Sequence, residues 1–198
     1  MTTYQPNSVV CYTLVMCKLP RDFYDRDTVV VAKELLGKYL VHIVHGKPRI
    51  GKIVETEAYL GPHDLAAHSA RGKTKRNEVM FGPAGYAYVY LIYGVYFCTN
   101  IVTEREGHAS AILLRALEPI ENITDKTSGP GLLSRAMAID KRLYGHDLLS
   151  RDFFISMPDK EEKISIVKRP RIGVDYAGVW AKRHLRFYIK DNPFVSRK

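Results

Sequence analysis

The apolar positions of the first sixty residues fall into one capped segment and two strand-like runs. A helix needs a side-chain acceptor before its first turn and often ends at a glycine. Runs rich in β-branched residues on either side of a short turn are typical of paired strands. We therefore predict a helix over Val29–Leu36 between Asp27/Thr28 and Gly37, and strands over Tyr39–Val44 and Arg49–Tyr59 around a turn at 45–48.

Tyrosines alternate with small and apolar residues between residues 86 and 91. Tyr86, Tyr88 and Tyr90 share one parity, so they line one face of a strand. The parity changes at Tyr93 and Gly94 follows directly, which is how two strands meet at a tight turn. The pattern predicts a β-hairpin over residues 86–100 with an aromatic ring at or near its tip. We expect Tyr86, Tyr88 and Tyr96 to pack within the sheet.

The rest of the chain is predicted to form short strands and short helices, without repeats or linkers. We predict short helices at 64–69 and 132–139, with strands at 109–117, 153–156, 164–168 and 185–189. The predicted fold class is α+β: one compact domain with a mixed, mostly antiparallel curved sheet, flanking short helices and a protruding hairpin. Residues 1–15 differ in character from the segment that begins at Met16, so we predict an N-terminal extension at 1–15 and a single domain at 16–198.

The charge balance points to a polyanionic partner. The 198 residues carry a net charge of +9 at pH 7, and the pI is near 9.4. Nucleic acid and an anionic membrane surface both fit such a charge. In a basic protein, a hydrophobic ring exposed at the hairpin tip can insert between the stacked bases of a nucleic acid. A hydrophobic content of 46% excludes disordered and fibrous classes.

Cysteine usage indicates a reducing, intracellular compartment. The three cysteines, Cys11, Cys17 and Cys98, show neither a C-x-x-C motif nor zinc spacing. No apolar run approaches the ~18 residues of a membrane-spanning helix, and Val9–Met16 lacks the flanks of a signal peptide. We expect no membrane association, and a location in the cytoplasm or nucleoid of a bacterium or in a eukaryotic nucleus.

Charged residues interrupt two otherwise apolar strands. Glu55 and Glu57 lie two apart and therefore point to one face, an arrangement suited to proton transfer or to a merely polar strand surface. Arg115 stands inside an apolar run and requires either an open edge or an anionic partner. Glu57 and Glu118 are the candidate partners, for a structural ion pair or for a guanidinium that orients a carboxylate and its attacking water.

Other candidate motifs are weaker. His63, Asp64 and His68 have unfavourable spacing for a metal, so we predict no metal site. No P-loop, dinucleotide-binding or serine-esterase motif occurs. The loop at 128–131 precedes a predicted helix, and its free N–H groups would suit a DNA phosphate or an ordinary helix start.

Several further motifs occur in consistent order from about Lys18 to near the C-terminus. The run ETEAYLGP at 55–62 is followed by AAHS at 66–69 and by the tyrosine hairpin at 86–100. LLRALEP at 113–119 and RIGV at 171–174 complete the set. Together they resemble the alkyladenine (3-methyladenine) DNA glycosylase family. The resemblance implies a compact mixed α/β fold whose hairpin enters the minor groove of DNA.

The resemblance also implies a role for each matching residue. Glu57 matches the general base that deprotonates the water attacking C1′ of the damaged nucleotide, and Arg115 matches the arginine that holds this water. Tyr93 matches the hairpin residue that fills the gap left by the flipped base. The base pocket is matched by Tyr59, His68, Tyr90 and Asn100, the last of which crowds the 2-amino group of guanine. Backbone contacts are expected from Arg76, Gly129, Gly131 and Arg171.

Three positions depart from the family pattern. The connection Ile120–Ser128 is shorter than usual, Leu132 stands where many members carry a lysine toward a phosphate, and Val95 replaces a methionine at the hairpin tip. These differences bear on DNA affinity and lesion range rather than on the chemistry.

The leading hypothesis is a monofunctional glycosylase that removes alkylated or deaminated purines from double-stranded DNA. Its expected substrates are 3-methyladenine, 7-methylguanine, hypoxanthine and ethenoadenine, reached through the minor groove by a monomer without a cofactor. No lysine matches a nucleophile position, so base release without strand cleavage is expected. Two alternatives stay open: a non-catalytic module that binds lesions or the minor groove, and a metal-dependent hydrolase built on His63, Asp64 and His68.

Overall fold

The computed structural model describes residues 16–158, 160 and 162–198, and the predicted extension at 1–15 lies outside them. Helix α1 spans Arg21–Tyr24, and helix α2 spans Thr28–Glu34. Asp27 caps α2 by accepting a hydrogen bond from the Val30 N–H, so the cap predicted from the sequence is confirmed. No helix within these described ranges is long and apolar enough to cross a membrane.

Eight strands form one sheet, and every strand pair in the described residues is antiparallel. The strands are β1 (Tyr39–Val44), β2 (Lys47–Tyr59), β3 (Ala87–Ile92), β4 (Tyr96–Thr103), β5 (Ser110–Glu121), β6 (Phe153–Ser156), β7 (Ile166–Arg169) and β8 (Arg186–Ile189). The hydrogen-bonded order is β3-β4-β5-β2-β1-β6, and β8 pairs with both β2 and β7. The predicted α+β class with one compact domain is thereby confirmed.

The centre of the sheet is the long strand β2. Its first half pairs with β1, and residues Glu55–Glu57 pair with β8. The register against β5 shifts between Ile53 and Glu55 and again between Glu55 and Thr56. Such bulges bend a strand and increase its twist, and this one lies where β8 replaces β1 at the edge of β2.

The main core lies between the sheet and two short helices. Helix α3 spans Pro130–Ala136 and contributes Leu133, while α2 contributes Val31. The hydroxyl of Thr56 donates to the carbonyl of Ala32 in α2. Thr56 therefore points toward α2 and leaves the opposite side of β2 to its two glutamates. Four 3-10 helices complete the described elements: His68–Arg71, Glu78–Phe81, Lys141–Leu143 and Asp175–Lys182.

Strands β3 and β4 form the predicted hairpin. Tyr93 and Gly94 have φ angles of 53° and 69°, the signature of a type I′ turn. The turn is closed by the Val95 N–H, which donates to the Ile92 carbonyl at 3.2 Å. A tyrosine with positive φ costs on the order of 1–3 kcal/mol, so the fold tolerates strain to present this ring at the tip.

Candidate active site

The bulge in β2 brings both glutamates to the guanidinium of Arg115 on β5. Arg115 Nε lies 3.2 Å from Glu55 Oε1, and Arg115 Nη1 lies 3.3 Å from Glu57 Oε1. Both carboxylates are fully buried. The predicted partnership of Glu57 with Arg115 is therefore present. Glu118 is not part of it, because its side chain faces Lys52, whose Nζ is 3.2 Å away.

Glu57 is held by three polar partners. Oε1 accepts from the Ile172 N–H at 2.8 Å, and Oε2 accepts from the Tyr59 hydroxyl at 2.9 Å, in addition to the Arg115 contact. Since a carboxylate offers about four acceptor positions, roughly one is left for a further donor such as water. Burial raises the pKa of Glu57 above its ordinary value, against the opposing effects of Arg115, the Ile172 N–H and Tyr59.

The guanidinium remains charged in this setting. Burial lowers the pKa of Arg115, but Glu57 and Glu55 more than offset this effect and hold it above its ordinary value. Arg115 is therefore a fixed cation shared by two carboxylates. This combination, a carboxyl with raised pKa beside a permanent cation, is typical of sites that move protons.

All three partners of Glu57 also line a cavity of about 460 Å³. The volume lies within the range of small-ligand pockets. Most of its wall is aromatic or apolar, and Glu57 lies directly behind Tyr59, Ile172 and Arg115. The predicted pocket residues Tyr59, His68, Tyr90 and Asn100 all line it, as do Tyr88, Tyr93, Tyr96, Cys98 and Tyr176.

One wall of this cavity is a cluster of His68, Tyr88 and Tyr90. The His68 ring lies 4.6 Å from the Tyr90 ring, centroid to centroid, and the two planes are steeply inclined. His68 Nδ1 is 2.8 Å from the Tyr88 hydroxyl. Burial lowers the pKa of His68, and the nearby charges of Arg76 and Arg71 act in the same direction. A neutral ring that accepts from Tyr88 at Nδ1 carries its proton on Nε2.

Tyr88 and Tyr96 were not among the predicted pocket residues. Strand parity places Tyr88 within the sheet, and it is fully buried there, but its hydroxyl reaches His68 in the loop after β2. Tyr96 packs directly on Gly131, where a Cβ atom would come within 2.8 Å of the ring. The shared parity of Tyr88 and Tyr90 is the sequence signal that predicts a common wall.

The floor of the cavity is formed by β4. Asn100 pairs with Tyr88 across the hairpin, and its amide Nδ2 donates to the Tyr88 carbonyl at 3.0 Å. This bond fixes the orientation of the carboxamide. Cys98 is buried beside it, and burial raises the pKa of its thiol, so the group is a neutral part of the wall.

The rim of the cavity carries exposed apolar side chains. Tyr93 and Val95 at the hairpin tip are 86% and 70% exposed. Tyr176 lies on the same rim, and its hydroxyl donates to the Ala66 carbonyl at 3.3 Å. The tip therefore presents an unsupported ring beside the opening, as the sequence predicts for Tyr93.

Arg76, Gly129 and Gly131 are predicted to contact the DNA backbone, and their surroundings differ. Arg76 is exposed near the opening, donates to the Leu91 carbonyl and lies 5.5 Å from the Tyr90 ring centroid. The Gly129 N–H is not free for a phosphate, because it donates to the Arg115 carbonyl at 2.9 Å. Gly131 lies inside α3 against Tyr96. The helix starts two residues earlier than predicted, and its first intrahelical bond runs from the Leu133 N–H to the Gly129 carbonyl. The Gly131 and Leu132 N–H groups therefore belong to the first turn, whose N–H groups have no intrahelical acceptor.

The predicted phosphate contact of Arg171 is inconsistent with its position. Its guanidinium is fully buried and donates to both carboxylate oxygens of Asp64, at 2.5 and 2.8 Å, and to the Ala58 carbonyl. It also lies 4.6 Å from the centroid of the Tyr59 ring. A phosphate contact requires an exposed side chain, but a buried carboxylate draws this arginine inward. Arg171 therefore supports the pocket wall from behind.

The three residues of the alternative metal site are engaged elsewhere. Asp64 also accepts from the Leu60 and Ala66 N–H groups, His68 faces Tyr88, and the His63 ring lies 5.4 Å from the Trp180 ring. Within residues 16–158, 160 and 162–198, no group of three or more histidine, cysteine, aspartate or glutamate side chains is arranged to hold a metal.

A buried carboxylate and guanidinium behind an aromatic pocket, in a strongly basic chain, suit a protein that moves protons at a ligand held on a polyanion. Comparison with known proteins narrows this class. The family model described as methylpurine-DNA glycosylase (MPG) matches residues 22–193. The chain belongs to the methylpurine-DNA glycosylase family, and its substrate is therefore DNA.

Bacterial relatives agree with this assignment. A protein of Legionella pneumophila (strain Corby) is 65% identical over 182 residues, which cover 92% of this chain and all of the relative. A protein of Anaeromyxobacter sp. (strain Fw109-5) is 54% identical, covering 91% of this chain and 93% of the relative. One of Myxococcus xanthus (strain DK1622) is 46% identical, covering 90% and 93%. All three carry the name "Putative 3-methyladenine DNA glycosylase".

Proposed function

We propose that the protein is a monofunctional DNA glycosylase that starts base excision repair. It flips alkylated or deaminated purines out of duplex DNA and hydrolyses the N-glycosidic bond with a water activated by Glu57. The observation that carries the proposal is the position of Glu57, fully buried with a raised pKa directly behind an aromatic pocket. A protein that only binds DNA gains nothing from a buried carboxylate beside the site of its polyanionic ligand.

DNA is entered from the minor groove by the hairpin tip. Extruding a base leaves a gap in the stack and costs roughly a few kcal/mol. Tyr93 is the side chain offered to that gap, since its ring is 86% exposed and held outward by a strained turn. An inserted side chain of this kind stabilises the unstacked step.

The flipped base stacks among the rings of the cavity. Stacking on an aromatic side chain contributes ~1–3 kcal/mol per base, and Tyr59 and Tyr90 supply rings on the wall. A cationic alkylpurine also gains from the electron-rich ring faces. Asn100, fixed by its bond to the Tyr88 carbonyl, discriminates against guanine by crowding the 2-amino group.

Base release is assigned to the carboxylate and guanidinium behind the wall. Glu57 takes the proton of a water while Arg115 holds that water, and the oxygen attacks C1′ as the purine leaves. Alkylated purines leave readily because they are positively charged. A neutral base such as hypoxanthine needs a donor, and the Nε2–H of His68 is the candidate. No lysine is among the described residues lining the cavity, in keeping with release without strand cleavage.

Replacing Glu57 by glutamine tests the proposal. We expect Glu57→Gln to bind duplexes carrying hypoxanthine, ethenoadenine or 3-methyladenine but to lose base release, measured as alkali-labile abasic sites in single turnover. Glu118→Gln is the matched control, because it removes one carboxylate of the same sheet away from the cavity. Normal release by Glu57→Gln would show that this residue is not the base. Absence of release by the wild-type protein would favour a binding module.

A second experiment tests whether Tyr93 acts as a wedge in DNA and whether activity requires a metal ion. Tyr93→Ala is expected to weaken affinity for lesion duplex, whereas Tyr93→Phe keeps the ring and serves as its control. Unchanged affinity in the alanine variant would remove the wedge role. Wild-type activity is expected to persist in EDTA, and its loss would favour the metal-dependent alternative.

A further inference from the structure

Glu55 is a densely bonded carboxylate near the cavity, although it does not line it. Its Oε1 accepts from Arg115 Nε at 3.2 Å and from Arg186 Nη1 at 2.9 Å, and its Oε2 accepts from the Ser196 N–H at 2.7 Å. The side chain is fully buried. A buried charge with three donors of this quality is held rigidly in one place.

The two glutamates and two arginines form a linear arrangement of alternating charge. Arg186 on β8 contacts Glu55 on β2, which contacts Arg115 on β5, and Arg115 contacts Glu57 two residues further along β2. Glu57 also faces Tyr59 on its own strand, Tyr90 on β3 and Cys98 on β4. Arg115 is the cation that Glu57 contacts here, and Glu55 competes for it.

The competition matters for the basicity of Glu57. An opposite charge in contact lowers the pKa of a carboxyl, and a like charge nearby raises it. Glu55 acts against the Arg115 effect both by occupying part of the guanidinium and through its own negative charge, which raises the pKa of Glu57. Without Glu55, Arg115 would be free to pair with Glu57 alone and would make it a weaker base.

The C-terminal residues hold Glu55 in this position. Val195 is buried in the main core and anchors the segment. The next residue supplies the Ser196 N–H to Glu55, and the Arg197 carbonyl accepts from Arg186 Nη1 at 2.6 Å. The Ser196 hydroxyl lies 3.5 Å from Arg115 Nη2. Residues 196 and 197 thus touch both arginines and the carboxylate between them.

We propose that Glu55 is a positioning residue for base excision. Glu55 shares Arg115 with Glu57 and thereby keeps Glu57 available as a base, and the C-terminal segment Val195–Arg197 holds Glu55 in place. The inference rests on the proposed role of Glu57. It assigns a contribution to catalysis to a carboxylate and a chain terminus that do not touch the substrate.

Neutralising Glu55 while keeping its shape tests the proposal. For Glu55→Gln we expect the acidic limb of the excision rate against pH to move lower, because the like charge that raises the pKa of Glu57 is removed. The plateau rate is expected to fall several-fold, since Glu57 becomes a weaker base. Glu118→Gln changes the net charge equally and should keep the wild-type limb. A purely structural role for Glu55 predicts a lower melting temperature with an unmoved limb, which would overturn the proposal.

Proline at position 196 tests the C-terminal segment without changing any charge. Ser196→Pro removes the N–H that donates to Glu55, and Ser196→Ala, which keeps this N–H and loses only the hydroxyl, is the control. We expect Ser196→Pro to shift the limb in the same direction as Glu55→Gln but by less. If Glu55→Gln fails to fold, as judged by circular dichroism, an unmoved limb in Ser196→Pro alone overturns the proposal.

Glu57→Gln separates this inference from the function on which it rests. If Glu57→Gln still excises bases normally, the proposed function fails. If Glu57→Gln is inactive while Glu55→Gln and Ser196→Pro keep the wild-type limb, only the inference fails.

Discussion

Replacing Arg171 by methionine removes a cation that the fold uses internally. The guanidinium donates to both oxygens of Asp64 and to the Ala58 carbonyl, and neither member of the ion pair is exposed. Methionine has a similar length but no donor. Arg171→Met therefore leaves the Asp64 carboxylate buried with only the Leu60 and Ala66 N–H groups as partners.

The size of the effect is set by this burial. Breaking a buried ion pair by removing one partner costs about 3–5 kcal/mol. For a domain of this size, 1 kcal/mol corresponds to roughly 2–4 °C in melting temperature, so the expected loss is roughly 6–20 °C. Adding Asp64→Asn removes the uncompensated charge and should recover part of it. Arg26→Met, which breaks the exposed pair with Glu34, should cost at most about 1 kcal/mol.

Two assays separate this structural role from a phosphate contact. Thermal unfolding followed by circular dichroism measures the stability loss, and DNA affinity at several salt concentrations measures the number of phosphate contacts. Loss of one contact reduces the slope of log K against log salt by about 0.9. We expect Arg171→Met to lower the melting temperature and keep the wild-type slope. A wild-type melting temperature with a reduced slope would refute the reasoning.

Four further predictions concern the cavity. Gly131→Ala drives a Cβ atom into the Tyr96 ring and should destabilise the protein by about 1–3 kcal/mol in urea unfolding. Tyr88→Phe removes the hydrogen bond between the Tyr88 hydroxyl and His68 Nδ1 and should cost about 0.5–1.5 kcal/mol in the same assay. Excision should fall as pH drops through the raised pKa of Glu57, and a limb at or below its ordinary value of 4.5 would contradict this. The raised pKa of Glu57 also affects the stability of the fold. The protonated side chain contributes stability that is present at low pH and is lost as the pH rises through the folded-state pKa. Glu57→Gln should therefore raise the melting temperature at pH 7 but not below pH 4.5.

Local signals predicted the elements and the pairing of the two candidate catalytic residues. Asp27 before an apolar run indicates a helix cap, and the parity change at Tyr93 indicates a turn. A lone charge such as Arg115 in an apolar strand indicates an anionic partner. Each of these signals depends on only a few neighbouring residues. The pairing of Glu57 with Arg115 could also be predicted, because a buried cation in an apolar strand requires a nearby anion.

Long-range pairing was harder to predict. Arg186 stands in the apolar run 185–189 just as Arg115 stands in its own, and the same reasoning would have placed it near a carboxylate. The Ser196 N–H carries no side-chain signal at all. The burial of Arg171 could not be predicted from its neighbours, because its partner Asp64 is more than one hundred residues away.

The position of Glu55–Glu57 in the sheet separates two kinds of motion. These residues are flanked by β5 on one edge and β8 on the other, so their amide protons should exchange with solvent only when the whole domain opens. The hairpin end has exposed side chains at residues 93 and 95 and is free to open locally. On warming, amide exchange should therefore appear at the tip first, and the proposed wedge should lose its structure before the strand that carries Glu55 and Glu57.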